Sequence, residues 1–213
     1  VTRDVESALD AKYFFSTWPD NRVGIEELLR FAKARGWTRV SIIRPIAAGF
    51  WQYTRNIFVE RAGAYSISIV DDLDLNNLLL TDFRTPILKI KSNKPDAVFL
   101  VTSDPVECVF MIQQKQLGLN VPILSTESAG NHASLGGCPD ALENLYFSTP
   151  RDTERYTQFE KSFVEMYDRK PQFPSAVTAY DAVYVIARAL EKTKLRGGIS
   201  LRNAIAETMY ENG

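Results

Sequence analysis

Three strand-like runs in this chain stop on polar residues, and each is followed by a helix-like run. The endings are Arg44-Pro45, Thr102-Ser103-Asp104 and Ser125-Thr126-Glu127. In an open, twisted parallel sheet every strand points the same way, so the carboxyl ends line one rim, and ligands bind along it. The third ending is the sharpest, because Glu127 is an acid with no basic residue nearby in the sequence.

The periodicity predicts alternating elements from about residue 14 to 149. A short strand is expected over 14–17, and a helix over 24–35 with Ile25, Leu28, Leu29 and Phe31-Ala32 on one face, stopped by Gly36. A buried strand over 39–43 ends at Pro45, a helix over 51–61 closes at Gly63, and a third strand covers 65–70. Asp71-Asp72-Leu73-Asp74 reads as a loop. A helix beginning near Thr81-Asp82 carries Phe83, Ile87, Leu88 and Ile90 on one face, with Pro86 near its first turn, where proline is tolerated. The strand 97–101 leads through Asp104-Pro105 into a helix ending before Gly118, with Pro105 at the first helical position. The strand 122–124, a short helix after Asn131 and the strand 145–147 complete the series.

Near-continuous apolar strands alternating with helices are the signature of a parallel sheet covered on both faces. The fold class is therefore α/β, a doubly wound parallel sheet of Rossmann-like type. After Pro150 the pattern changes to three helices, over 151–170, 175–192 and 201–210. The stripe Ala176, Ala179, Val183, Ile186 and Leu190 makes a wide apolar face on the second of them. These helices need an apolar surface to cover, and no strand follows residue 150. The tail is thus expected to belong to a second, incomplete lobe.

With 213 residues, 45% of them hydrophobic, the chain can bury a substantial core. A net charge of −1 offers no electrostatic case for nucleic acid or for an anionic membrane surface. The longest apolar stretches fall short of the ~20 residues of a membrane span. The start, Val1-Thr2-Arg3-Asp4, lacks the apolar region of a signal peptide. Cys108 and Cys138 are too few for a disulfide framework or a structural zinc site, and they read as two separate buried thiols, with a single bridge as the alternative. His132 is the sole histidine, which argues against most triads and metal centres. Ile46-Ala47-Ala48-Gly49-Phe50 does not supply a dinucleotide fingerprint, and no phosphate-binding Gly-Lys-Ser/Thr or G-x-S-x-G elbow occurs. No catalytic residue, cofactor or metal is assigned, and the chain reads as a non-enzyme.

Several runs resemble the bacterial periplasmic binding proteins for branched-chain amino acids, of the type I periplasmic-binding-protein fold. They are Asp82-Phe83-Arg84 with Ile87-Leu88-Lys89-Ile90-Lys91, Pro95-Asp96-Ala97-Val98-Phe99 and Pro122-Ile123-Leu124-Ser125-Thr126-Glu127-Ser128-Ala129-Gly130-Asn131. Gly36-Trp37-Thr38-Arg39-Val40 with Ile42-Ile43, and Ala179-Tyr180-Asp181-Ala182-Val183, continue the likeness in the same order. The resemblance implies a two-lobed receptor that closes on its ligand by hinge motion. It divides the chain into 1–19, the end of the first lobe and the crossover; 20–148, a complete second lobe; and 149–213, a return to first-lobe helices. On that plan the amino-terminal part of the first lobe is missing.

By the same resemblance, Glu127 matches the acid that holds a ligand's α-ammonium group, with Thr126 beside it. Phe50 and Trp51 occupy the place of an aromatic that packs on an apolar ligand side chain; a helix-starting core contact is the alternative. Ser103 and Asp104 precede a helix, so one of them is expected to cap it, with a ligand contact as the further possibility. The implied function is capture of a small amino acid or amide-like solute for the membrane permease of an ABC-type importer, in the periplasm or outside the cell. A sensory domain of the same fold is the alternative, an α/β enzyme is a poorer one, and the incomplete lobe implies self-association.

Overall fold

The structure, a computed structural model, describes residues 12–18, 20–46, 49–75, 82–102, 106–130, 138, 143–149, 154–171 and 175–212, the last three by backbone alone. The chain divides into two compact units. One is Asp20–Arg151; the other joins Val1–Pro19 to Asp152–Gly213.

The first unit runs α1 (Asn21–Ala34), β1 (Arg39–Pro45), α2 (Phe50–Ala62), β2 (Ser68–Leu75), α3 (Arg84–Ser92), β3 (Ala97–Leu100), α4 (Val106–Gln116), β4 (Ile123–Ser125) and β5 (Leu145–Phe147). The strands form one five-stranded sheet in the order β2-β1-β3-β4-β5, and every pairing is parallel. Because successive side chains alternate across a strand, each strand feeds two cores. Val40, Ile42, Ala97, Phe99, Val101 and Leu124 meet Ile25, Leu28, Leu29 and Ala32 of α1 and Ile57, Phe58 and Ala62 of α2. Ile43, Val98, Leu100 and Ile123 point the other way, onto Ile87 and Ile90 of α3 and Val106, Phe110 and Met111 of α4. Phe58 stacks on Phe99 at 4.2 Å in the first core, and Phe83 meets Phe110 edge-on at 5.3 Å in the second.

Local chemistry sets the boundaries. The Asp20 carboxylate accepts from the Arg22 backbone N–H at 2.9 Å and starts α1. Gly36, at φ +75°, lets the chain turn back after it. The Asp96 carboxylate accepts from the backbone N–H groups of Thr38 and Arg39 at 2.8 and 2.9 Å, joining the starts of β1 and β3.

Three expectations are corrected. The stretch 71–74, expected as a loop, is the second half of β2. An extra residue in β2 shifts the register between Val40 and Ser41, after which Asp71, Asp72 and Asp74 lie opposite Ser41, Ile42 and Arg44. β2 is an edge strand, and each acid finds a partner there. Asp71 accepts from Ser41 Oγ at 2.8 Å and from Asn93 Nδ2 at 2.7 Å, Asp72 pairs with Arg55 of α2, and Asp74 pairs with Arg44 at 2.7 Å. Charges on an edge also discourage pairing with another chain. Residues 14–17 are not a strand; the Thr17 hydroxyl donates instead to the Thr178 carbonyl at 2.9 Å. Cys108 and Cys138, read as separate thiols, form a disulfide. Their sequence separation hides a Cα–Cα approach of 5.9 Å that only the tertiary fold produces. The helix expected after Asn131 lies outside the described residues; the turn before it, Glu127–Gly130, is a short 3-10 helix.

The second unit holds α5 (Glu154–Tyr167), α6 (Ser175–Lys192) and α7 (Gly198–Asn212). Among the described residues it contains no strand. No residue of α5 is buried, and in α6 only Ala189 is. Val183 and Ile186 of the α6 apolar stripe stay exposed, as do Met166 and Tyr167 of α5. Phe159, Phe163, Tyr167, Tyr180 and Tyr184 pack ring on ring instead. No helix among the described residues is long and apolar enough to cross a membrane.

Candidate functional site

β1 lies between β2 and β3 in the sheet, so the strand order reverses there. The chain leaves β1 toward α2 on one face and leaves β3 toward α4 on the other. A crevice between two such diverging connections is where doubly wound sheets bind ligands. Two of the three polar strand endings flank it, and the third, on β4, stands next to β3. The ends of β1 and β4 are thus two strand spacings apart, roughly 10 Å, which is room for a small solute.

The β4 ending is the most tightly held. Ser125 Oγ donates to the Leu100 carbonyl at 2.9 Å, tying β4 to β3. Thr126 is buried, and its hydroxyl shares a 2.8 Å hydrogen bond with Ser128 Oγ. Ser128 Oγ in turn donates to the Thr102 carbonyl at 3.1 Å, just beyond β3. The Ala129 N–H donates to the Thr126 carbonyl at 3.1 Å and closes the turn. Gly130 is required behind it, since a Cβ there would lie 2.6 Å from Phe147 Cε2. Glu127, half-buried, is the first residue of this turn. Its backbone is therefore fixed from β3 on one side and from β5 on the other.

At the β1 ending, Gly49 (φ +82°) precedes α2, and its carbonyl accepts from the Tyr53 N–H at 2.9 Å. Phe50 and Trp51 occupy the first two positions of α2, with rings edge-on at 5.0 Å. Trp51 packs on the α1/α2 core, whereas Phe50 is not part of it. At the β3 ending, Thr102 is buried, and its hydroxyl finds no hydrogen-bond partner among the described residues. Ser103 and Asp104, assigned both capping and ligand contact, lie outside the described residues.

Sequence reasoning missed a paired charge array beside this rim. Arg44 is 8% exposed; it bonds Asp74, its Nη1 donates to the Pro45 carbonyl at 3.3 Å, and its Nε has no partner among the described residues. Arg55 binds Asp72, and this hydrogen bond, reinforced by the charges of Asp72 and Asp74, raises the Arg55 pKa above its ordinary value. The signal available in the sequence is the two-residue spacing of Asp72 and Asp74, which puts both on one face of a strand. Among the described residues no group of His, Cys, Asp and Glu is placed to hold a metal ion.

Comparison with known proteins agrees with this architecture. A solute binding protein of an ABC transporter from R. palustris, solved in complex with benzoate, superposes with a TM-score of 0.79 at 18% identity, over 95% of this chain and 57% of that one. The leucine-, isoleucine-, valine-, threonine- and alanine-binding protein of Brucella ovis gives 0.72 at 18% identity, over 91% and 51%. The leucine binding protein of Thermotoga maritima gives 0.74 at 20% identity, over 87% and 54%. At these identities the likeness is one of fold: a parallel α/β sheet with helices. The metabotropic glutamate receptor-like protein E of Dictyostelium discoideum is 25% identical in an alignment of 202 positions that covers 87% of this chain and 24% of that protein. The chain thus spans about half the length of the solved relatives and a quarter of the curated one. The sequence profile of the periplasmic binding protein family matches residues 2–213. The chain belongs to the periplasmic binding protein family.

Proposed function

We propose that the Asp20–Arg151 unit supplies one wall of a binding site for a small amino acid or amide-like solute, and that the protein is a solute receptor. Glu127 accepts the ligand's ammonium group, with Thr126 fixing the turn that presents it. Phe50, with Trp51 beside it in sequence, packs on the ligand's apolar part, and Ser103 and Asp104, which follow β3 in the sequence, are further ligand contacts in this reading. The single observation that supports this reading is that Glu127 is a half-buried residue directly after β4, opening a turn held to β3 and β5. A carboxylate accepting from an ammonium group is a charge-assisted pair that strengthens as water is excluded. An anionic ligand such as benzoate would instead meet like charge at Glu127.

The receptor role is common to the family. Delivery to the permease of an ABC-type importer is the partnership we infer, supported by the solute binding proteins of transporters among the structural neighbours. A periplasmic or extracellular location follows from the same family and is supported by the disulfide, a bond that persists in oxidising compartments. A sensory ectodomain is the second reading, favoured by the similarity to a receptor-like protein over most of the chain. The apolar faces left open on α5 and α6 support self-association.

Calorimetric titration of the full-length protein with L-leucine, L-alanine and benzoate, before and after Glu127→Ala, tests the assignment. An amino acid is expected to bind and to lose at least about 1.5–3 kcal/mol of affinity in the variant, the range of one hydrogen bond to a charged group. Unchanged amino-acid affinity in a folded variant refutes it.

A further inference from the structure

The disulfide joins two elements that both serve the rim. Cys108 lies in the first turns of α4, the helix that follows the β3 ending. α4 is anchored to the sheet by Val106, Phe110 and Met111, all buried in the second core. Cys138 lies in the connection between β4 and β5, beyond the turn that carries Glu127, and is itself buried. At its start this connection is held by hydroxyl hydrogen bonds and by the Gly130–Phe147 approach. In its middle it is held by a covalent bond to a packed helix.

We propose that the Cys108–Cys138 disulfide is a positioning element of the ligand rim, tying the Glu127-bearing connection to α4 so that opening the bond weakens ligand binding while the sheet stays folded. This rests on the reading of Glu127 as a ligand-holding residue. Closing a loop of 30 residues removes conformations from the open chain. Because α4 is anchored by its own core, the bond ties Cys138, in the β4–β5 connection, to a packed element of the sheet. Opening the bond requires a dithiol reductant such as dithiothreitol. The two reductant sulfurs give up two electrons and two protons and join to each other. The Cys108–Cys138 S–S bond breaks, and each cysteine sulfur takes one proton.

The test compares full-length protein in the oxidised state, after reduction with dithiothreitol, and as the Cys108→Ala/Cys138→Ala double variant, which removes the bond without a reagent. Amide hydrogen exchange is read in two peptides, one covering Thr126–Gly130 and one covering α1, and L-leucine affinity is read by calorimetry. Exchange over Thr126–Gly130 is expected to speed up roughly tenfold while α1 stays within about twofold, since local opening draws on a smaller free energy than global unfolding. L-Leucine affinity is expected to fall by about the same factor in both the reduced protein and the double variant, and to recover when the reduced protein is reoxidised; a bond that only stabilised the unit as a whole would lower affinity together with faster exchange in α1. Equal acceleration in both peptides, or none over Thr126–Gly130, overturns the proposal. If L-leucine fails to bind even the oxidised protein, the amino-acid reading is what fails, and the exchange comparison still decides the role of the strap.

Discussion

Removing the Asp74 carboxylate is expected to destabilise the Asp20–Arg151 unit more than removing the arginine it binds. Arg44 is 8% exposed, and its guanidinium reaches Asp74 at 2.7 Å, while the Asp74 side chain is 41% exposed. The two ends of the pair therefore face different solvents. Asp74→Ala leaves a desolvated cation whose Nε already lacks a partner among the described residues. Breaking a fully buried pair from one side costs about 3–5 kcal/mol. The exposure of Asp74 lets water reach the gap, so a value of about 2–3 kcal/mol is expected. Arg44→Met removes the buried charge together with its unbonded N–H and keeps most of the apolar stem. The carboxylate left behind is partly hydrated, so the cost falls to about 1 kcal/mol or less. The double variant is expected to match Arg44→Met, so the coupling equals the Asp74→Ala cost, about 2–3 kcal/mol. Urea denaturation followed by tryptophan fluorescence and far-UV circular dichroism measures each corner of the cycle. The reasoning fails if Arg44→Met proves the more damaging change, or if the coupling is below about 0.5 kcal/mol.

Gly130→Ala forces the Phe147 ring to move, because the added Cβ would sit 2.6 Å from Cε2. Overpacking of this kind costs about 1–3 kcal/mol, and Phe147→Ala in the same chain is expected to recover most of it in a denaturation cycle. Self-association through the α5 and α6 faces is expected to appear in sedimentation velocity as a sedimentation coefficient that rises with protein concentration. A single monomeric boundary from low to high micromolar concentration would contradict it.

Much of the fold was legible because it follows from short-range rules. α6 spans Ser175–Lys192 and β5 spans Leu145–Phe147, both where the periodicity put them. Long apolar stripes and runs bounded by proline or glycine allow few other arrangements. The alternation of Val40, Ile42 and Ile43, or of Ala97, Val98 and Phe99, between two cores is implicit in continuous apolar strands. The same logic put Glu127 directly after a strand, where β4 ends at Ser125. Sequence could not show that Thr126, Ser128 and Thr102 would lock the turn holding Glu127.

Sequence by itself determined the order of strands and helices, their shared direction and the acid at one strand end, since each depends on neighbours a few positions apart. Tertiary structure alone decided that Asp71, Asp72 and Asp74 would pair in an edge strand rather than hang in a loop, because their partners Ser41, Arg55 and Arg44 come from β1 and α2. It likewise decided that Arg44 would be buried and that Cys108 would meet Cys138. Those outcomes rest on distances between remote segments, and burial in the packed sheet is what makes a charge or a thiol choose its partner.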